Sequence, residues 1–281
     1  MAAPEEGMLP PGRPQPLLLR VLPPALVGGG RAQRLIERNL MVHRRSWWIA
    51  LSGFFEPVFY LLSIGIGIGK LVGRLPGPHG TTVAYASYVA PALLASSAMN
   101  GAIFESTMTV FFKLKFANVY DAILSTPVGP RDIALGEIGS ALLRGSMYSL
   151  AFLVIMAALG DAASWWAVLT FPAAVLIGFA FSAAGMACTT YMRSWTDFDL
   201  VQLAVVPLFL FSATFYPLGT YPRWLQIVVE CTPLFHGVAL VRGLNIGDVT
   251  WGLAGHAAYL LGMGSLGLWV AGARIRKLLL S

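Results

Sequence analysis

The sequence predicts an all-α integral membrane protein with six transmembrane helices, and three observations predict it. Of 281 residues, 57% are apolar and only 11% are charged, against about 25% charged in an average soluble domain. Six apolar stretches approach or exceed the roughly 20 residues needed to cross a bilayer core. All eight tryptophans fall at or near the ends of apolar stretches, where an indole keeps its ring in apolar surroundings and its N–H in the headgroup layer.

A soluble fold of this length buries a good core, but it cannot hide this much apolar side chain behind so few charges. The composition therefore excludes an ordinary soluble enzyme, and equally a disordered or collagen-like chain. The net charge of +6 reads as cytoplasmic flanking charge, so no nucleic-acid partner is expected. Cys188 and Cys231 lie in apolar stretches, which supports neither a metal site nor a disulfide framework.

Taken in order, residues 1–30 are rich in Pro and Gly and read as a flexible cytoplasmic tail. Leu17 to Val27 is too broken by Arg20, Pro23 and Pro24 for a cleaved signal. Between Arg31 and Arg45, Arg31, Arg34, Arg38 and Arg45 recur at helical spacing on one face. This suits a basic interfacial helix on the membrane surface, with a plain positive flank as the simpler reading. The spans follow at about 47–69, 84–107, 133–158, 165–190, 200–216 and 253–271. A seventh stretch, Leu225 to Val241, is interrupted by Glu230, Pro233 and His236. It reads as re-entrant helices between spans five and six.

The positive-inside rule sets the orientation. With the N-terminus inside and six spans, 14 of the 19 Lys/Arg fall in cytoplasmic segments and four in outer ones. Both termini are then cytoplasmic.

Several motifs invite a chemical reading. Gly65-Ile-Gly67-Ile-Gly69-Lys70 resembles a phosphate loop, but Ile64 and Leu71 occupy positions where a Walker A motif needs Gly and Ser/Thr. The glycines suit close helix packing instead. His43, His79, His236 and His256 have no ligand partner at i+3 or i+4, so no bound metal or cofactor is expected. Glu56, Glu105, Glu137 and Arg144 fall inside spans, where a charge costs about 2.5–3.5 kcal/mol on insertion scales. They are candidates for a polar element near a cytoplasmic gate, or for buried pairs and snorkelling side chains. Between spans two and three, Val119/Ile123 and Tyr120/Leu124 form apolar i, i+4 pairs, which predicts a short amphipathic helix that needs a partner. Pro127, Gly129 and Pro130 end it, and Pro130 is placed to open span three.

Two blocks carry a resemblance. KLKFANVYDAILSTPVGPRDIALGEI, from Lys113, resembles the cytoplasmic loop of ABC-2 type transport permeases, in the branch of the nodulation-factor exporter permease NodJ and the daunorubicin exporter permeases. The second block, Phe211 to Arg242, is similar to the family's Ser-Gly-x-Phe-Phe-Pro, Leu-Pro-x-Trp-Leu-Gln and Pro-Leu run, with departures at Ala213 and Tyr221. The resemblance makes 31–281 an ABC-2 type transmembrane domain in the cytoplasmic membrane. It implies a non-catalytic subunit of an ATP-driven exporter. Two copies of the chain would pair with two copies of a separate ABC ATPase, which binds the ATP and Mg. The helix after span two would couple to that ATPase through Val119, Tyr120, Asp121 and Leu124, flanked by Lys113 and Lys115. The segment with Pro217, Trp224, Glu230, Pro233 and His236 would close the outer side of the pathway. The implied cargo is amphipathic: a lipid-linked glycan, a lipo-oligosaccharide or a drug. The alternatives are an ion-gradient-driven transporter working without an ATPase and a membrane-embedded enzyme. No internal repeat and no paired acid cluster is visible for either.

A C-terminal alkaline phosphatase fusion should be inactive and a C-terminal green fluorescent protein fusion bright. An active phosphatase would make Leu225–Val241 a full span.

Overall fold

The computed structural model describes residues 35–39, 41, 55, 58–76, 82–117, 119–124 and 128–280. The tail, Arg31, Arg34, Arg45 and Glu56 lie outside the described residues. Helix α1 covers 58–72, with a π-helical turn at Ile64–Ile68, and ends at Gly73, whose φ of 73° suits glycine. An antiparallel pair follows, β1 (Arg74–Pro76) against β2 (Thr82–Ala84), with Leu75 opposite Val83. This corrects the all-α expectation: three residues a side is too short to show a period of two in sequence.

Helix α2 (Tyr85–Phe104) continues through a π turn, Glu105–Thr109, into Val110–Lys115, well past the predicted end of span two. The short α3 is Val119–Leu124. Helix α4 (Pro130–Ala158) opens with Pro130 in its first turn, and the Asp132 carboxylate accepts the Gly129 N–H at 3.0 Å. A 3₁₀ turn at Trp165–Leu169, capped by Ser164, leads into α5 (Thr170–Thr189). Helix α6 is Asp197–Leu210. The Arg193 and Ser194 N–H groups, at 2.7 and 3.1 Å, hold the Asp197 carboxyl below its usual range.

The sequence predicts that span five reaches Tyr216, but α6 stops at Leu210. Ser212 donates its hydroxyl to the Leu208 carbonyl, and Ala213 turns to φ 54°. The chain then forms α7 (Arg223–Glu230) and α8 (Pro233–Ile246), bent by 85° at the break, a geometry that belongs to a broken span or a re-entrant loop. Helix α9 (Trp251–Leu280) closes the fold.

Among the described residues three helical runs are long and apolar enough to cross a membrane by length and composition: Pro130–Ala158, Trp165–Thr189 and Trp251–Leu278. Helix α2 carries Ser87, Ser96, Ser97, Asn100 and Gly101 yet is buried along most of its length. Its neighbours shield it from lipid, so it can be less apolar than a lipid-facing helix.

Helix α5 is central and packs against α2, α4, α8 and α9. Its contact surface is small: Ala173, Ala174, Ala180, Ala183 and Ala187 are buried. Lipid gives no hydrophobic drive to helix association, so close backbone approach has to supply the attraction. The approach is tightest where Gly267 of α9 meets α5. A Cβ there would lie 2.7 Å from the Ala183 carbonyl carbon and 2.8 Å from the Ala184 nitrogen. Gly267→Ala should lower the melting temperature in detergent by an overpacking cost of about 1–3 kcal/mol. Gly262→Ala meets nothing within 4 Å and should be neutral or stabilising. Equal melting of both variants would disprove the close contact.

Candidate functional site

Charged side chains gather at the end of the bundle that carries α3. Lys113 Nζ lies 2.6 Å from Glu137 Oε2 of α4. Asn39, in the helical residues 35–39, donates its amide to the same Glu137 oxygen at 3.1 Å and to Ser140 Oγ at 3.0 Å, and accepts from Lys113 at 3.3 Å. One carboxylate thus ties together the N-terminal helix, the end of α2 and the start of α4. The Glu137 side chain is only 3% exposed, so each donor also offsets the cost of removing its charge from water.

About two turns deeper, Glu105 Oε2 meets Arg144 Nη1 at 2.7 Å. Glu105 sits on the π turn, where one residue too many per turn leaves main-chain carbonyls without their usual partners. The Thr189 hydroxyl of α5 donates to the Ser106 carbonyl at 3.0 Å. Ser106 and Thr107 turn their hydroxyls back onto Ala102 and Ile103. The turn is therefore satisfied from both sides.

Beneath this junction lies an apolar cluster containing Leu35, Tyr120, Ile133, Ile138 and Ile275. Tyr120 is 2% exposed. Burial, with Glu137 nearby, pushes its phenol well up, so it stays neutral. Beside the cluster, Phe111, Phe116, Trp195 and Phe198 pack edge to face and join the end of α2 to the chain before α6.

At the opposite end, Arg242 of α8 lies over the Tyr88 ring, Cζ 3.7 Å from its centre. Its guanidinium donates to the carbonyls of Tyr88, Ala213 and Thr214 at 3.2, 2.8 and 3.3 Å. This clamp holds the bend after α6. Asn245 donates to the Asp161 carbonyl at 3.0 Å, and Ser87 to the Asp161 carboxylate at 2.9 Å. Burial nonetheless raises the Asp161 carboxyl. His236 of α8 and His256 of α9 share a contact of 2.6 Å between Nδ1 atoms, with Tyr259 stacked on His236 at 4.0 Å. Among the described residues no three His, Cys, Asp or Glu side chains gather as a metal site would require. Between the two ends runs a groove of about 620 Å³ along α6, walled by Phe181, Val201, Ala204, Leu208 and Met263, with Asp197 and Tyr191 at its α3 end.

Residues 31–245 match the ABC-2 type transporter family. The chain belongs to that family. It is 30% identical over 214 residues to nodulation protein J of Rhizobium leguminosarum bv. trifolii, covering 75% of this chain and 79% of the relative. Nodulation protein J of Sinorhizobium fredii is 29% identical over 227 residues, 80% of this chain and 84% of the relative. A probable doxorubicin resistance ABC transporter permease protein of Mycobacterium tuberculosis is 22% identical over 225 residues, 77% and 78% of the two chains. The chain is thus a membrane-embedded transport permease.

The permease brings Glu105, Glu137, Arg144 and Lys113 to one end of the bundle. Glu137 and Arg144, alike in face on α4, do not pair with each other: each reaches α2 instead. Lys115 and Ala122 are exposed there and Val119 is half-buried. The α3 backbone is described at Asp121 and Leu124, while their side chains lie outside the described set. Tyr120 points inward rather than toward a partner groove, because its ring is what seats α3 on the bundle. Of the second block, Pro217 precedes a 3₁₀ turn, Trp224 and Glu230 are exposed on α7, Pro233 opens α8, and His236 contacts His256. Sequence reading missed Asn39, Arg242 and the histidine pair. Their partners lie 20 to 154 positions away, beyond any local spacing rule.

Glu137→Ala would strand Lys113 and Asn39. It should cost about 3 kcal/mol, the low end for a broken buried pair, because the Lys113 side chain keeps 15% exposure. Lys113→Met/Glu137→Met should recover most of the loss in a thermal melt. A double variant as unstable as the single one would show that the pairing contributes little.

Proposed function

We propose that the permease is the transmembrane subunit of an ATP-driven exporter in the cytoplasmic membrane, with six spans, both termini inside, and the α3 end facing the cytoplasm. It works as two copies with two copies of a separate ATPase. The observation that carries this reading is the seating of α3. Tyr120 anchors it in the core, and Lys113 beside it joins the Glu137 junction, while Lys115 and Ala122 stay exposed. A helix held so firmly from behind, with an exposed outer face, suits transmission of a push from a cytoplasmic partner into α2 and α4. The Lys/Arg asymmetry supports the same orientation, and the 85° break between α7 and α8 supports a re-entrant segment over the outer side.

The cargo is an amphipathic molecule: a lipid-linked glycan, a lipo-oligosaccharide or a drug. The apolar groove along α6, with Asp197 and Tyr191 at one end, supports a substrate with an apolar body and a polar head. So does the similarity to a probable doxorubicin resistance permease.

The purified permease alone should hydrolyse no ATP. Lys115→Glu/Ala122→Asp should leave its melting temperature unchanged and weaken co-purification of the ATPase by more than about tenfold, the effect of removing one good anchor. Tyr120→Ala should instead lower the melting temperature. Wild-type ATPase binding by the Lys115/Ala122 variant would reject the outer face of α3 as the docking surface.

A further inference from the structure

A second cavity, of about 340 Å³, lies at the α7 end beside the Arg242 clamp, with Tyr88, Arg242, Asp248, Thr250 and His256 on its walls. Its volume is near the lower end of small-ligand sites, roughly 300–1,000 Å³. Two charges in it lack a counter-charge among the described residues. Arg242 is half-buried and donates through Nε and Nη2, in every case to neutral carbonyl oxygens. Among the described residues no carboxylate pairs with it. Asp248 lines the same cavity, and its carboxylate has no hydrogen-bond or ion-pair partner among the described residues. The two do not satisfy each other, although they face one space.

We propose that this cavity holds the headgroup of a zwitterionic phospholipid with a primary amine, its phosphate on Arg242 and its ammonium on Asp248. The charge pattern selects this occupant. A simple anion would meet Asp248, a simple cation would meet Arg242, and a neutral sugar would leave both charges uncompensated in a partly dehydrated site. The Thr250 hydroxyl stands at the same wall for a phosphate oxygen. Ala239 and Leu253 add apolar lining on which the start of the acyl region can lie. Trp251, one residue from Thr250, is 94% exposed, and an exposed indole at a helix start marks the headgroup level. The placement rests on reading α9 as a span whose first turn lies at the membrane interface. The charge argument does not depend on which leaflet that is.

The test is native mass spectrometry of the purified permease in detergent, without ATPase or cargo, titrated with phosphatidylethanolamine, phosphatidylglycerol and a neutral monoglucosyl diacylglycerol. One phosphatidylethanolamine should be retained per chain, at least about tenfold over phosphatidylglycerol, the scale of one charge-assisted hydrogen bond. Asp248→Asn should erase that preference while melting like wild type. Ala239→Phe should fill the cavity and abolish retention of both lipids. Equal retention of the two phospholipids by the wild type, or a preference untouched by Asp248→Asn, would overturn the proposal. Preferential retention of the glucolipid would overturn it in favour of a sugar site. Failure of ATPase coupling or of transport would leave these results unaffected, so the two proposals fail separately.

Discussion

A carboxylate shut away from water has to find its counter-charge within its own chain, and the rest of the α3 end is arranged around that requirement. Glu137 could have been an isolated liability on α4. Instead Lys113 and Asn39 converge on one of its oxygens, and in doing so they fix the end of α2 and the N-terminal helix against α4. The short α3 inherits its position from the same place, because it follows Lys113 and its Tyr120 ring fills the apolar space below. An ion pair of this kind adds little net stability over an apolar substitute. What it adds is register: only one sliding position of α2 against α4 brings the ammonium to the carboxylate.

The opposite end solves a different problem by similar means. A chain that leaves α6 and doubles back through α7 exposes main-chain carbonyls that no helix satisfies. Arg242 collects two of them, from Ala213 and Thr214, while its Nε reaches the Tyr88 carbonyl, something a lysine's point charge does not do with comparable geometry. The bend is thereby fastened to α2 as well, through the Tyr88 carbonyl and ring. Helix α5 between the two ends carries no charged side chain and depends on small residues that let α9 lie against it.

Much of this was legible in sequence because it follows from local chemistry. Apolar runs, tryptophan positions and lysine and arginine asymmetry mark a membrane protein, and Pro130 and Gly129 mark where α4 begins. The short helix after α2 was legible from two i, i+4 pairs. Its facing was not: the pairing of Tyr120 with Leu124 says which side is apolar, not whether that side meets the bundle or a partner. The early end of α6 was hidden because Phe211–Tyr216 holds no charge, Gly or Pro to mark a helix end, and the break comes from a serine hydroxyl on the main chain and one positive φ. The partners of Glu105, Glu137 and Arg242 come from other helices, and no periodicity along one helix encodes them.

The π turn at Glu105–Thr109 has a meaning beyond its hydrogen bonds. Such a turn is what an α-helix becomes when it accommodates one extra residue without rotating its two halves relative to each other. The α2 segments before and after it therefore read as a single ordinary helix interrupted by an insertion, and the acid that meets Arg144 arrives with the inserted turn. A relative lacking one residue at this point would keep the same helix faces on both sides and lose only the local bulge. In such a pair of chains a one-residue alignment gap inside a membrane helix, ordinarily a sign of misalignment, would mark the loss or gain of a polar site.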